Sequence, residues 1–240
     1  MNIFLQAFAW ITDPAHYFGS GSIPERIGEQ LAYTAGAVLI GAIIAIPTGL
    51  LIGHTGRGRE IAVVLSGALR ALPGLGILIV LALTLGIGFQ APLITFVILA
   101  IPPLLAGAYS GVESVDRNVV DAARAIGMSE WQVLLQVEVP LGLPLLLSGV
   151  RSGALQVVAT ATLAFFASGG ALGVYINEGL KTRDYALMLG ASIIVTALAI
   201  VIEGAFLLLQ LAVTPRGVTA SRRRATAPTS RTATRLAPWN

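Results

Sequence analysis

Three charged residues inside long apolar stretches are the side chains most able to do chemistry: Arg70, Arg151 and Glu203. A charge at membrane depth is costly unless it is paired or faces water, so such residues mark structural ion pairs or pathways for protons and solutes. At 1.5 Å per helical residue, all three lie about 15 Å from the cytoplasmic ends of their stretches, so they share one level in the membrane. We expect Glu203 to pair with one of the two arginines and to fix helix register. A proton-coupling carboxylate is the alternative.

Aromatic side chains near the ends of the apolar stretches offer a second kind of chemistry. Phe165 and Phe166 are adjacent, and Phe89 follows a glycine-rich bend. Aromatic faces attract organic cations, so these three residues are candidates for lining a pathway for such a solute. Packing of aromatic rings at apolar helix ends is the alternative and the commoner arrangement.

Other catalytic chemistry has little support. The chain has no cysteine and only two histidines; His16 and His54 lie far apart, so no thiolate, zinc or haem site is expected. The segment from Gly53 to Glu60 looks faintly like a phosphate-binding loop, but it lacks lysine and follows a predicted membrane helix rather than a strand. We expect no metal, no cofactor and no enzymatic activity in this chain.

The elements that carry these residues must lie in a membrane. Of 240 residues, 55% are hydrophobic and 11% are charged, and the mean hydropathy is +0.83. A soluble protein carries about 25% charged residues, so the outer surface of this chain must face lipid. Apolar segments long enough to span a bilayer are Leu31–Gly53, Ile61–Phe89, Ala91–Tyr109, Leu141–Gly170 and Tyr185–Val213.

These segments predict an all-α fold, a polytopic membrane helix bundle. It has five transmembrane helices, or six if residues 3–11 span the membrane rather than lie at its surface. Pro73 should kink or divide the second span. We expect residues 1–30 to form an extracytoplasmic segment, 31–213 a transmembrane domain, and 214–240 a disordered, basic cytoplasmic tail.

Orientation follows from the distribution of positive charge. Lys and Arg are more frequent on the side of the C-terminal tail, which places the N-terminus outside and the C-terminus in the cytoplasm. The net charge of +3 is therefore interpreted as a membrane-side bias, and no nucleic-acid partner is expected.

The polar segment between the third and fourth spans, residues 116–140, is called the elbow. Apolar residues recur at helical spacing in its first half, with charged residues on other faces; the apolar residues are Val119, Ala122, Ala123 and Ile126. Gly127 then stands where a left-handed C-terminal cap belongs. The sequence predicts a short cytoplasmic helix that ends in a fixed bend.

A second helix is predicted directly after this bend. Ser129 followed by Gln132 is the signature of a capping box, and Trp131 begins an apolar side. Pro140 should end this helix before the fourth span. Such an elbow would transmit a displacement between a soluble partner and two spans. The alternative is an amphipathic loop that rests on the membrane surface.

The elbow resembles the EAA loop of ATP-binding-cassette (ABC) importer permeases. Asp121-Ala122-Ala123, Gly127 and Val137-x-Val139-Pro140 match the spacing of that pattern. Aspartate replaces glutamate at its first position, and valine replaces isoleucine and leucine near its end. In that family the elbow docks into a groove of the ATP-binding subunit, so the resemblance implies the same role here.

Further motifs are similar to those of the osmoprotectant permeases, which import glycine betaine, carnitine, choline or related quaternary amines. The resemblance covers residues 22–212. Its motifs are Ile23-Pro24-Glu25-Arg26, Arg70-Ala71-Leu72-Pro73, Gly86-Ile87-Gly88-Phe89, Ala161-Thr162-Leu163-Ala164-Phe165 and Gly169-Gly170-Ala171-Leu172-Gly173.

The resemblance implies a methionine-importer-like permease fold in the plasma membrane of a prokaryote. Its implied partners are an ABC ATPase subunit, an extracytoplasmic substrate-binding protein, a second permease copy or paralogue, and the lipid bilayer. The residues expected to couple to the ATPase are Asp121, Ala122, Ala123, Gly127, Met128, Trp131 and Pro140. The alternatives are an importer for another small solute, such as methionine, and an autonomous secondary carrier.

Overall fold

Helices account for the regular structure of the described chain. A computed structural model describes residues 2–168 and 170–213, and no strand occurs within these ranges. The predicted tail, 214–240, lies outside the described residues. In chain order the helices are α1 (Ile3–Thr12), α2 (Ile23–Thr55), α3 (Arg59–Ala71), α4 (Gly74–Leu85), α5 (Gln90–Glu113), α6 (Arg117–Ala125), α7 (Glu130–Gln132), α8 (Val139–Ala161), α9 (Phe165–Ser168), α10 (Gly173–Thr182) and α11 (Tyr185–Val213). Two 3-10 turns, Pro14–His16 and Thr162–Ala164, and a π-helical segment, Val133–Glu138, complete the order.

Among the described residues, four helices are each long and apolar enough to cross a membrane: α2, α5, the continuous helix Glu130–Ser168, and α11. The pair α3 and α4, bent by 80°, makes a fifth span when counted together. Large apolar side chains point outward from these helices, as on Ile43, Leu83 and Leu208, which suits a surface that faces lipid. The predicted all-α membrane bundle is confirmed.

The first helix is too short to be a sixth span. α1 has 10 residues, which is about 15 Å or half the hydrocarbon thickness of a bilayer. It packs against α11, where Trp10 covers Gly190 so closely that a Cβ at Gly190 would lie 2.7 Å from Trp10 Cε3. α1 is thus a short helix on the side of α11.

The first long helix starts earlier than its predicted span. α2 begins at Ile23 rather than at Leu31, and it carries Pro24 in its first turn, where a missing N–H leaves no hydrogen bond unmade. The charged residues that bounded the predicted span belong to this helix, because a helix can continue beyond the hydrocarbon layer. It ends at Thr55, and its C-cap Gly56 has a left-handed φ of 68°.

The predicted second span is divided at Leu72 and Pro73. Leu72 is extended, with φ −69° and ψ 131°, because the proline ring excludes helical geometry from the residue before it. The predicted division at Pro73 is therefore confirmed. Arg70 lies in the last turn of α3, beside the break.

α5 is the centre of the bundle. Of its apolar stretch 67% is buried, against 6% for α11 at the periphery. The backbones of α5 and α8 touch where the two helices cross. A Cβ on Gly107 of α5 would lie 2.5 Å from Gly149 Cα, and a Cβ on Gly142 of α8 would lie 2.4 Å from Gly111 O. Glycine is required on both helices at this crossing, since any side chain would force them apart.

Candidate functional site

The first helix of the elbow has well-formed caps at both ends. Asp116 accepts a hydrogen bond from the Asn118 N–H at 2.9 Å. At the other end, Gly127 has φ +91°, its N–H donates to Arg124 O at 2.9 Å, and the Met128 N–H donates to Ala123 O at 3.2 Å. These two bonds make a Schellman motif. The predicted left-handed cap at Gly127 is confirmed.

The second helix begins with the predicted capping box. The Ser129 N–H donates to Gln132 Oε1 at 2.8 Å, and the Gln132 N–H donates to Ser129 Oγ at 3.4 Å. One residue, Met128, therefore separates the Schellman cap from the new N-cap. The bend is fixed by the hydrogen bonds of these two caps.

Pro140 does not end this second helix, and that prediction is wrong. The chain runs from α7 through the π-helical segment Val133–Glu138 into α8, and Pro140 lies in the first turn of α8. A π-helical turn shifts the hydrogen-bond register, which removes the conflict between a proline ring and the carbonyl of the preceding turn. The second half of the elbow is thus the start of the fourth long helix, and that span begins well before Leu141.

One face of α6 is buried, and Val120 and Ala123 form it. Val120 is 1% exposed, whereas Val119 is 43% and Ile126 81% exposed. A small core forms inside the elbow from Val115, Val120, Ala123 and Val133, with Met128 and Val137 packed against it. The helix predicted from the periodicity is confirmed, and of its recurring apolar residues Ala123 is the one that is buried, at 7% exposed.

The predicted coupling residues fall into two groups. Ala123 and Met128 pack into the elbow core. The others are exposed on the surface of the elbow: Asp121, Ala122, Gly127, Trp131 and Pro140. The surface group is available to a partner, whereas the core group sets the shape of the bend.

A chain of charged groups ties the elbow to α2. Arg124 donates to both oxygens of Glu130, from Nε at 3.0 Å and from Nη2 at 2.9 Å, and this hydrogen bond raises the pKa of the Arg124 guanidinium. His54, at the end of α2, lies between Glu130 and Glu138. No sequence pattern indicates this cluster, because 84 residues separate His54 from Glu138.

Of the charges inside the spans, Arg151 and Glu203 lie together. Arg151 Nε donates to Glu203 Oε2 at 2.7 Å, and Nη2 contacts the other carboxylate oxygen. This bidentate pair links α8 to α11. Arg70 is exposed beside the break after α3, and across residues 2–168 and 170–213 it makes no hydrogen bond or ion pair. Whether any of the three belongs to a pathway stays a prediction.

The predicted pathway aromatics lie at the end of the bundle away from the elbow. Phe89 stacks on Tyr33, with ring centroids 4.5 Å apart, and Tyr33 meets Phe96 edge-on. The ring centroids of Phe165 and Phe166 lie 4.0 Å apart. Tyr33 and Phe96 were not among the predicted residues, since each lies inside an apolar helix where sequence gives no sign of its neighbours.

Two hydrogen bonds hold this aromatic end together. The Gly88 N–H donates to Ala167 O at 2.9 Å, which joins the segment before α5 to α9. The Ala171 N–H donates to Glu29 Oε2 at 2.6 Å, which joins the following turn to α2. Phe89 and Phe166 keep 47% and 53% of their surface exposed, so both offer a ring face.

The described part of the chain, 2–168 and 170–213, contains no group of three or more His, Asp or Glu side chains arranged to hold a metal ion. The elbow and the aromatic end are thus its two candidate sites. They lie at opposite ends of the long helices.

Comparison with known proteins identifies relatives over most of the chain. Residues 37–217 match the family model described as binding-protein-dependent transport system inner membrane component. The chain is 34% identical over 194 residues to the carnitine transport permease protein OpuCB of Listeria monocytogenes, covering 81% of this chain and 89% of that protein. It is 31% identical over 198 residues to the glycine betaine/carnitine/choline transport system permease protein OpuCB of Bacillus subtilis, covering 82% and 91%.

Solved structures share the fold at lower identity. A chain of the methionine ABC transporter MetNI in an inward-facing conformation superposes with a TM-score of 0.69 at 22% identity, covering 79% of this chain and 95% of that one. A chain of an amino acid ABC transporter crystallised with histidines superposes with a TM-score of 0.56 at 20% identity, covering 84% and 92%. The predicted methionine-importer-like fold is confirmed.

Proposed function

The chain belongs to the family of inner membrane components of binding-protein-dependent transport systems, and from this premise we propose that it forms the pathway for a quaternary ammonium osmoprotectant. The substrate class is glycine betaine, carnitine or choline. One observation carries the proposal: the chain aligns over 81% of its length with a carnitine permease, at 34% identity. Such coverage is far longer than one shared motif.

We propose that the elbow docks an ATPase subunit in the cytoplasm. The exposed apolar side chains of Ile126 and Trp131, 81% and 64% exposed, support this, because large apolar groups at a polar turn commonly mark a protein interface. The Schellman cap and the capping box make the elbow stiff enough to transmit displacement. Hydrolysis of ATP belongs to that separate subunit.

Two elbow variants test this docking. Ile126→Asp should abolish co-purification of the ATPase subunit, because a carboxylate would enter the apolar interface. Ile87→Asp is the matched control, since Ile87 is 89% exposed at the bend before α5, at the opposite end of the bundle. Equal retention of the ATPase by both variants would contradict docking at the elbow.

At the other end, we propose that the aromatic residues line the entry for the cation. The exposed faces of Phe89 and Phe166 can attract a quaternary ammonium group, and the family implies an extracytoplasmic binding protein that delivers it. A second copy or a paralogue would complete the pathway. The N-terminus is then outside and the C-terminus cytoplasmic, in accord with the distribution of positive charge.

The test is uptake of radiolabelled glycine betaine, carnitine and choline by proteoliposomes. These should contain the chain with its ATPase, its binding protein and any paralogue. The expected result is uptake of at least one of these amines that requires ATP and the ATPase. Uptake without ATP would contradict the proposal of an ABC importer and would indicate a secondary carrier. ATP-driven transport of methionine instead would keep the importer and refute the substrate class.

A further inference from the structure

One imidazole joins two carboxylates at the junction between α2 and the elbow. His54 Nδ1 lies 2.5 Å from Glu138 Oε2, and His54 Nε2 lies 3.1 Å from Glu130 Oε2. The side chains of His54 and Glu138 are 10% and 1% exposed. The carboxylate of Glu138 accepts from no other side chain in residues 2–168 and 170–213. The pair is therefore a polar contact removed from solvent.

The two contacts of His54 differ in kind. The contact with Glu138 is a hydrogen bond, whereas Glu130 lies within ion-pair distance of the other ring nitrogen. Because the two ring nitrogens point in different directions, one imidazole in the last turn of α2 contacts both carboxyl groups of the elbow.

The contact continues outward along the elbow. Glu130 is held from its other side by the guanidinium of Arg124 on α6, and Arg124 lies 3.5 Å from Asp121 at the surface. Glu130, Arg124 and Asp121, together with Glu138, are the charged groups that lie around His54 directly or through Glu130. An unbroken chain of charge-assisted contacts thus runs from the exposed face of α6 to the end of α2.

We propose that His54 is a positioning residue that ties α2 to the elbow, so that a displacement of α6 reaches α2 as well as α8. This inference rests on the proposed function, because it concerns how movement of the elbow drives the spans. Without the imidazole, the buried carboxyl group of Glu138 has no hydrogen-bond partner among the described side chains, and Glu130 loses its contact with α2. The ATPase would still turn over, but less substrate would cross for each ATP.

The experiment measures the coupling ratio, substrate imported per ATP hydrolysed, in proteoliposomes that contain the whole transporter. Glycine betaine, carnitine and choline serve as probes. His54→Gln should lower the ratio about threefold or more, as changes within a coupling network do. Glu130→Gln should lower it too, although it leaves the buried pair intact. His16→Gln is the control, because His16 is the only other histidine and bonds to Trp10 O in the N-terminal segment.

The coupling ratio separates positioning from a merely structural role. If His54 only stabilised the fold, uptake and hydrolysis would fall in equal proportion and the ratio would not change; that result would overturn the proposal.

The remaining outcomes are also decisive. If His54→Gln fails to assemble, Glu130→Gln decides, because the Glu130 side chain is 60% exposed and its loss leaves the core intact; a normal ratio there refutes the chain of contacts. Failure of the proposed function looks different. The wild type itself would then import none of the three probes with ATP, and the inference would fall with it.

Discussion

Gly127 offers the sharpest test of the elbow, because its backbone conformation disfavours a side chain whereas its surroundings leave space for one. Its φ of +91° is strained for any residue with a side chain, yet a Cβ at this position would meet no atom within 4 Å. Gly127→Ala therefore adds backbone strain without a steric clash. Forcing an L-residue into the left-handed region costs about 1–2 kcal/mol.

That strain can be relieved only by giving up the cap. Rotation of φ would break the bonds from the Gly127 and Met128 N–H groups to Arg124 O and Ala123 O. A cost of about 1–2 kcal/mol lowers the ratio of the native elbow to a rearranged one by about 5- to 30-fold. We expect ATP-driven uptake by Gly127→Ala to fall by up to about 5- to 30-fold. Gly127→Asn should fall less, since asparagine tolerates the left-handed region better than alanine.

Gly204→Ala provides the matched control. Gly204 lies in α11, has no strained φ, and also offers open space to a Cβ, so the same substitution should leave uptake unchanged. The assay is ATP-dependent uptake in proteoliposomes, with the amount of bound ATPase measured in parallel. Uptake by Gly127→Ala equal to that by Gly204→Ala would refute the reasoning, because it would show that the bend does not depend on its cap.

Three other predictions concern packing and polar contacts. Gly107→Val should lower the thermal unfolding temperature strongly in detergent, because it wedges α5 away from Gly149 at a backbone contact. Arg151→Ala should destabilise the protein more than Arg151→Ala combined with Glu203→Ala, because the single change leaves an unpaired charge within a span; unfolding temperatures of the two decide. Gln30→Leu should cost about 1–3 kcal/mol, since its buried amide bonds to Val158 O and the Leu172 N–H, and protease sensitivity of the turn after α9 would report the loss.

Local chemistry allowed the sequence to predict the elbow in detail. Gly127 and the pair Ser129 and Gln132 each act within a few residues, so their conformation follows from residue type and spacing. The division at Pro73 has the same origin. Pro140 has the same chemistry, but there a π-helical turn absorbs the proline, and nothing in the spacing indicates that turn.

Contacts between distant helices cannot be predicted from local residue type and spacing. The level of Glu203 in its span predicted an arginine partner, but only the crossing of α8 and α11 selects Arg151 over Arg70. His54 gave no signal at all, because its two carboxylate partners come from another part of the chain. The ring of Tyr33 is likewise brought to Phe89 by the packing of α2 on α5. Sequence identified the groups able to do chemistry, and the fold chose their partners.

The ties between helices indicate which parts of the chain move together. The elbow continues into α8 without a break, α8 meets α5 at backbone contact through Gly107 and Gly149, and His54 ties α2 to the elbow. A closely packed set of this kind moves as a rigid body. The 80° break between α3 and α4 has no such tie, since Leu72 and Pro73 interrupt the helical hydrogen bonds there. We therefore expect distances between spin labels on α5 and α8 to stay constant during the ATP cycle, while distances from α4 to α8 change; movement of α5 against α8 would contradict this.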